Sequence, residues 1–148
     1  MELKFRVQAK ISKPRDEVFD AVANPEKLSK YFTTGGASGA LRAGTRVVWR
    51  FADYPGDIAV VVKKAVPNEL IVFEWKAEDP SSDYMTTVEL AFESVAPRTT
   101  LVRITESGWR ETQQGLTSSY SNCQGWMNML CCLKAWLEHN VNLREGFF

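Results

Sequence analysis

The chain has 148 residues, 45% of them hydrophobic, with 18 basic and 18 acidic side chains. This length suits one globular domain, residues 1–148, which can bury roughly 70% of its unfolded surface without a metal or a disulfide. Twelve basic and nine acidic residues in 1–74, against six and nine in 75–148, leave no basic stripe, so nucleic acid is not an expected partner.

The three cysteines, Cys123, Cys131 and Cys132, are an odd number gathered in one apolar segment, which fits a reducing cytoplasm and buried, inert thiols. The opening MELKFRVQAKI lacks the apolar run of a signal peptide. The uncharged stretch from Thr112 to Leu133 begins with Gln, Gly, Ser, Thr and Asn, too polar for a bilayer, so no membrane is expected.

In chain order, Leu3, Phe5, Val7, Ala9 and Ile11 alternate with polar residues and predict a half-buried strand. Ser12, Pro14, Asp16 and Glu17 suit a capped helix start, with Val18, Phe19, Val22 and Ala23 inward. Asn24-Pro25 breaks that helix and begins a second, carrying Leu28, Tyr31 and Phe32. Thr33 to Gly44, with four of the nine glycines, reads as a loop containing one short strand near Ala37 to Leu41. It matches neither glycine fingerprint for phosphate.

Strands then follow one another, separated by turn residues. Arg46 to Ala52 puts Val47, Trp49 and Phe51 on one face. Tyr54-Pro55-Gly56-Asp57 reads as a turn. Ile58 to Val66 is a strand, Pro67-Asn68 a turn, and Leu70 to Lys76 a strand with Ile71, Phe73 and Trp75 on one face. After a polar turn at Glu78 to Asp83, Met85 to Ser94 turns Thr86, Val88, Leu90 and Phe92 inward. Thr99 to Ser107 does the same with Thr100, Val102, Ile104 and Glu106. From about Ser121 to Val141, Cys123, Trp126, Met127, Leu130, Leu133, Leu137 and Val141 recur at helical spacing, and Met129, Cys132 and Trp136 widen the stripe. Such a helix would run about 30 Å and cross a small curved sheet.

Three stretches resemble the domain shared by bacterial homologues of the activator of the ninety-kilodalton heat-shock chaperone's ATPase. They are ISKPRDEVFDAVANPEKLSKYF (Ile11 to Phe32), VPNELIVFEW (Val66 to Trp75), and the run from Thr86 through Gly108-Trp109 to GWMNMLCCLKAWLE. This AHSA1-like domain lies within the START-like (SRPBCC) superfamily, which includes polyketide cyclases and the birch pollen allergen (Bet v 1-like) fold. The resemblance implies an α+β helix-grip fold. In it a curved antiparallel sheet of six to seven strands grips a long C-terminal helix, two short helices follow the first strand, and a hydrophobic cavity lies between sheet and helix. Where many members carry His before the Ser-Gly pair closing the last strand, this chain has Glu106. The additional N-terminal domain of the eukaryotic activators is not expected here.

Catalytic groups are sparse. The single histidine, His139, falls near the end of the terminal helix, where it would complement the dipole. Neither a metal-ligand spacing nor a cofactor motif is present. Glu106, inward on its strand, must meet Arg or Trp N–H donors, titrate with a raised pKa, or contact a ligand. The expected cavity lining is Trp49, Phe51, Phe73, Trp75, Val88, Leu90, Glu106, Trp109, Trp126 and Leu130, around an apolar space of a few hundred Å³. Five tryptophans in 148 residues fit either that lining or a filled core.

Three functions follow. The first is binding of a small hydrophobic or aromatic molecule, and the second is action on a heat-shock-90-type chaperone. The third, a cyclase-like or hydrolytic enzyme, would have only Glu106 with Tyr84 or Arg103 as its acid-base groups, and it ranks last. Trp136 with the Gly146-Phe147-Phe148 tail offers a modest patch for a weak homodimer.

Overall fold

A computed structural model of the chain describes residues 1–81 and 83–148. The alternating opening forms β1 (Lys4–Ile11), with Phe5, Val7, Ala9 and Ile11 packed inward. Helix α1 (Arg15–Ala23) buries Val18, Ala21 and Val22. Pro14, not Ser12, is its N-cap, and no side chain caps it. The Ser12 N–H instead donates to Glu138 Oε2 at 3.0 Å, tying the end of β1 to the terminal helix.

Helix α2 (Pro25–Leu28) starts at Asn24, whose Oδ1 accepts from the Glu26 N–H at 3.0 Å. It stops at Leu28, short of the expected Phe32, and Tyr31 and Phe32 reach the core from the turn that follows. There the buried Tyr31 hydroxyl donates to the Ala21 carbonyl at 2.9 Å, joining the two helices.

The remaining strands are β2 (Gly36–Ala37), β3 (Arg46–Phe51), β4 (Tyr54–Val66), β5 (Leu70–Lys76), β6 (Met85–Ala96) and β7 (Thr99–Ser107). With β1 they make one seven-stranded antiparallel sheet in the order β1-β7-β6-β5-β4-β3-β2. Register shifts at Trp49/Phe51, Val62/Lys64 and Ser94/Ala96 add local bend to the intrinsic twist, which curves the sheet. The expected strand near Ala37 to Leu41 shrinks to two residues, paired with Trp49 and Arg50.

The expected turn at Tyr54 to Asp57 lies inside β4. Tyr54 already pairs with Phe51, so the chain reverses at Ala52-Asp53, and Gly56 (φ 91°) serves the irregular strand start. The polar turn expected over Glu78 to Asp83 includes Ser82, which lies outside the described residues.

Helix α3 (Gln113–His139) has 27 residues, so at ~1.5 Å per residue it runs about 40 Å. It starts well before Ser121. Thr112 caps it, accepting from the Gly115 N–H at 3.0 Å, and a Cβ on Gly115 would stand 2.0 Å from the Arg110 carbonyl oxygen. Asn140, left-handed at φ 53°, ends it, so Val141 lies beyond the helix and is exposed. Met127 is exposed too, while Met129, Leu130, Cys132 and Leu133 are buried with Phe73, Leu90 and Ile104 in one core cluster. Trp136 is half-buried and stacks on Tyr31 at 5.5 Å, while Phe147 and Phe148 are exposed.

The cysteines do not share one environment. Cys131 is exposed, Cys123 is intermediate, and only Cys132 is buried, its thiol pushed up to about 11 by desolvation. Among the described residues no helix is long and apolar enough to cross a membrane.

Candidate functional site: a carboxylate seam beside an open cleft

Strand alternation turns Glu106 onto the concave face of β7. The register pairs it with Val88 and pairs Trp75 with Thr86. Because residues two apart on a strand share a face, Thr86 and Trp75 come beside the carboxylate. Asn122 and Trp126, four apart on α3, descend on it from the helix.

Glu106 has no exposed surface, and both of its oxygens are occupied. Oε1 accepts from Trp126 Nε1 at 2.9 Å and from Asn122 Nδ2 at 3.1 Å. Oε2 accepts from Trp75 Nε1 at 2.9 Å, Thr86 Oγ1 at 2.7 Å and Asn122 Nδ2 at 3.1 Å. Every donor is neutral. Burial raises the Glu106 pKa above the usual carboxylate value, while the bonds from Trp75, Thr86, Trp126 and Asn122 pull the other way. With its lone pairs filled, this carboxylate is a clamp between β5, β6, β7 and α3, and it could act as a base only by giving up one of those bonds.

In front of this seam a cleft of about 1340 Å³ opens between the middle of α3 and the ends of β3, β4 and β5. Its aromatic wall is Phe32, Phe51, Trp75 and Trp126. Phe32 meets Phe51 at 5.1 Å and Trp126 at 5.7 Å, and Trp75 stacks on Trp126 at 5.4 Å with 30° between planes. Asp79 and Tyr84 also line the cleft, the Tyr84 hydroxyl donating to Asp79 Oδ2 at 2.8 Å. The Ser81 N–H and hydroxyl donate to Asp79 Oδ1 at 2.9 and 2.8 Å, and these bonds hold its pKa below the usual carboxylate value. At one end Arg144, reaching back from beyond α3, pairs with Asp53 at 2.7 Å and keeps that carboxyl low.

Of the ten expected lining residues, Phe51, Trp75 and Trp126 reach the cleft, and Glu106 lies directly behind the two indoles. Trp49, Phe73, Val88, Leu90 and Leu130 fill the core, to which Trp126, only 2% exposed, also belongs. Trp109 packs on Phe5 at 5.5 Å; its N–H, like that of Trp49, is buried without an acceptor among the described residues. The cleft is larger and more polar than the expected apolar space.

Tyr84 and Arg103 are not brought to Glu106. Arg103 sits on the opposite face of β7 and pairs with Glu93 at 2.7 Å, while Tyr84 also accepts from the Arg110 N–H at 3.2 Å. His139 lies in the last turn of α3, at the dipole's negative end. Asn122 escaped the sequence reading, although its spacing of four from Trp126 was the available signal. Asn128 and Arg144 carried none.

The family model described as Activator of Hsp90 ATPase homolog 1-like protein matches residues 12–138. A solved structure from Staphylococcus saprophyticus is 25% identical, with 96% of each chain covered and a TM-score of 0.79. The Aha1 dimer from Colwellia psychrerythraea is 26% identical, with 93% of this chain and 97% of that one covered and a TM-score of 0.76. An Hsp90 activator from Plasmodium falciparum shares the fold at 21% identity, with 92% and 96% covered and a TM-score of 0.75. No curated protein matches. With the matched span reaching from the turn after β1 almost to the end of α3, the chain belongs to the family of Activator of Hsp90 ATPase homolog 1-like proteins.

Proposed function

We propose that the chain is a binding protein for a small hydrophobic or aromatic molecule held in the cleft between the sheet and α3. The observation that carries this reading is the run of four touching rings lining an open cleft of about 1340 Å³, with Phe51 and Trp75 partly exposed and Phe32 and Trp126 buried against them. Concave, partly apolar sites with a few fixed polar groups are where small molecules bury most of their surface. The Glu106 clamp fixes both indoles, so the wall is formed before any ligand arrives. In this reading the chain works in the cytoplasm as a monomer or weak homodimer.

A ligand that binds only the folded state stabilises it by about 2.7 kcal/mol at a hundredfold excess over its Kd. A mixed library of lipids and aromatic compounds should therefore contain members that raise the melting temperature of the wild type and fail to do so in Trp75→Ala. A library that leaves the wild type unmoved at saturating concentrations would sink the proposal.

Family membership favours a second reading, activation of a heat-shock-90-type chaperone ATPase. The chaperone from the same cell should then hydrolyse ATP faster when this chain is added. An unchanged rate at equimolar and tenfold excess would remove that reading and leave the first standing.

A further inference from the structure

We infer that the cleft takes an organic cation, an ammonium group carried on an apolar body that also bears an acceptor oxygen. This rests on the cleft being a ligand site, and three independent features point to the class.

The first is the wall. A cation within reach of several ring faces is attracted by their quadrupoles, most strongly by indole. Here both indoles donate their N–H to one carboxylate, and hydrogen bonding to an anion polarises the donor and makes the ring face more negative. Their polar edges are thus committed to Glu106, and Trp75, partly exposed and backed by the buried Trp126, presents its ring to the cleft together with Phe51.

The second is charge. Glu106 is fully buried behind the wall with only neutral donors. Asp79, which lines the same cleft, is 6% exposed and receives neutral donors from Ser81 and Tyr84, with Arg110 acting at longer range. Of the cations lining the cleft, Arg144 is spent on Asp53, leaving Arg46 and Lys76. Two carboxylates therefore border the cleft, Glu106 behind the indoles and Asp79 in the lining, and neither is in an ion pair among the described residues.

The third is a donor without a partner. Asn128 is 7% exposed and lines the same cleft, and its Nδ2 is buried with no acceptor among the described residues. A buried amide N–H left unpaired costs free energy that a ligand oxygen would recover. A neutral hydrocarbon would leave this donor unpaired and the charge of the two carboxylates without a counter-ion.

The test compares acetylcholine, used as a probe, with its carbon isostere, in which the ammonium nitrogen is replaced by carbon, by titration calorimetry on the whole chain. The expected result is about tenfold or more tighter binding of the cation, the scale of a desolvated cation–π contact. Asp79→Asn and Glu106→Gln should each shrink that ratio. Asn128→Ala should weaken both probes alike and leave the ratio intact. Should Glu106→Gln fail to fold, Asp79→Asn alone decides. Equal binding of the two probes, or a ratio indifferent to Asp79→Asn, overturns the cationic class while the cleft remains a ligand site. If neither probe binds and the lipid and aromatic library also fails, the cleft reading itself falls.

Discussion

The terminal helix meets the sheet in two different ways along its length. From Trp126 to Leu133 it presses Met129, Leu130, Cys132 and Leu133 into a dry cluster with Phe73, Leu90 and Ile104. One turn earlier, contact is made through hydrogen bonds, with Asn122 and the Trp126 N–H holding Glu106 from above while Trp75 and Thr86 hold it from below. The dry half gains stability from area removed from water, which is non-directional. The polar half fixes position, because every member needs its partner at one distance and angle. The cleft opens beside the polar half, so the fold places its positional constraint next to the space a ligand would use.

Substitutions should separate the two halves. The largest effect belongs to the dry half: Phe73→Ala leaves a cavity between β5 and α3 and should lower unfolding free energy by about 3–5 kcal/mol in denaturant titrations. A loss below about 1 kcal/mol would mean that this end is loosely packed. Glu106→Ala should come next, at about 2–3 kcal/mol, because it strands two indole N–H groups, an amide and a hydroxyl, some within reach of cleft water. If it proved neutral, the polar seam would not be holding the helix.

The smallest effect is a pH dependence. Glu106 has its pKa raised by burial from the ordinary value of 4.5, so the folded state binds this proton more readily than the unfolded chain does. Its contribution is fully present below the unfolded value and is lost as pH rises through the folded one. Glu106→Gln cannot titrate. The stability of wild type minus that of Glu106→Gln should therefore fall as pH climbs from below 4.5 through the raised folded value. A flat difference would show that the hydrogen bonds from the four donor residues have cancelled the effect of burial.

The same contrast explains what the sequence revealed. The dry half was legible because burial imposes a period: β1, β6 and β7 were visible as alternation, and the second half of α3 as a stripe at three and four. The start of α3 was hidden, since the residues it buries there include Ser118 and Ser119, Asn122 joins the polar seam, and no apolar stripe extends to Thr112. Pro55-Gly56 has the stronger turn composition yet sits in β4, while the residues that make the turn, Ala52-Asp53, carry only the single turn-favouring Asp53. At the site, Glu106 stood out as a carboxylate on an inward strand face, and tryptophan N–H groups were among its foreseen partners. Which tryptophans would turn to it depends on how the strand register and the helix placement combine. Neither is written in local periodicity.

Glu106 also gives the protein two internal probes. Trp75 and Trp126 hold their indole protons against a single anion, one from the sheet and one from the helix. Protons donated to a carboxylate are strongly deshielded, and those kept from water exchange slowly, so the two should appear as separate, persistent resonances at the downfield edge of the indole region. Because the rings carrying them form the cleft wall, a molecule settling there would shift both signals together, whereas loosening of α3 alone would move the Trp126 proton first.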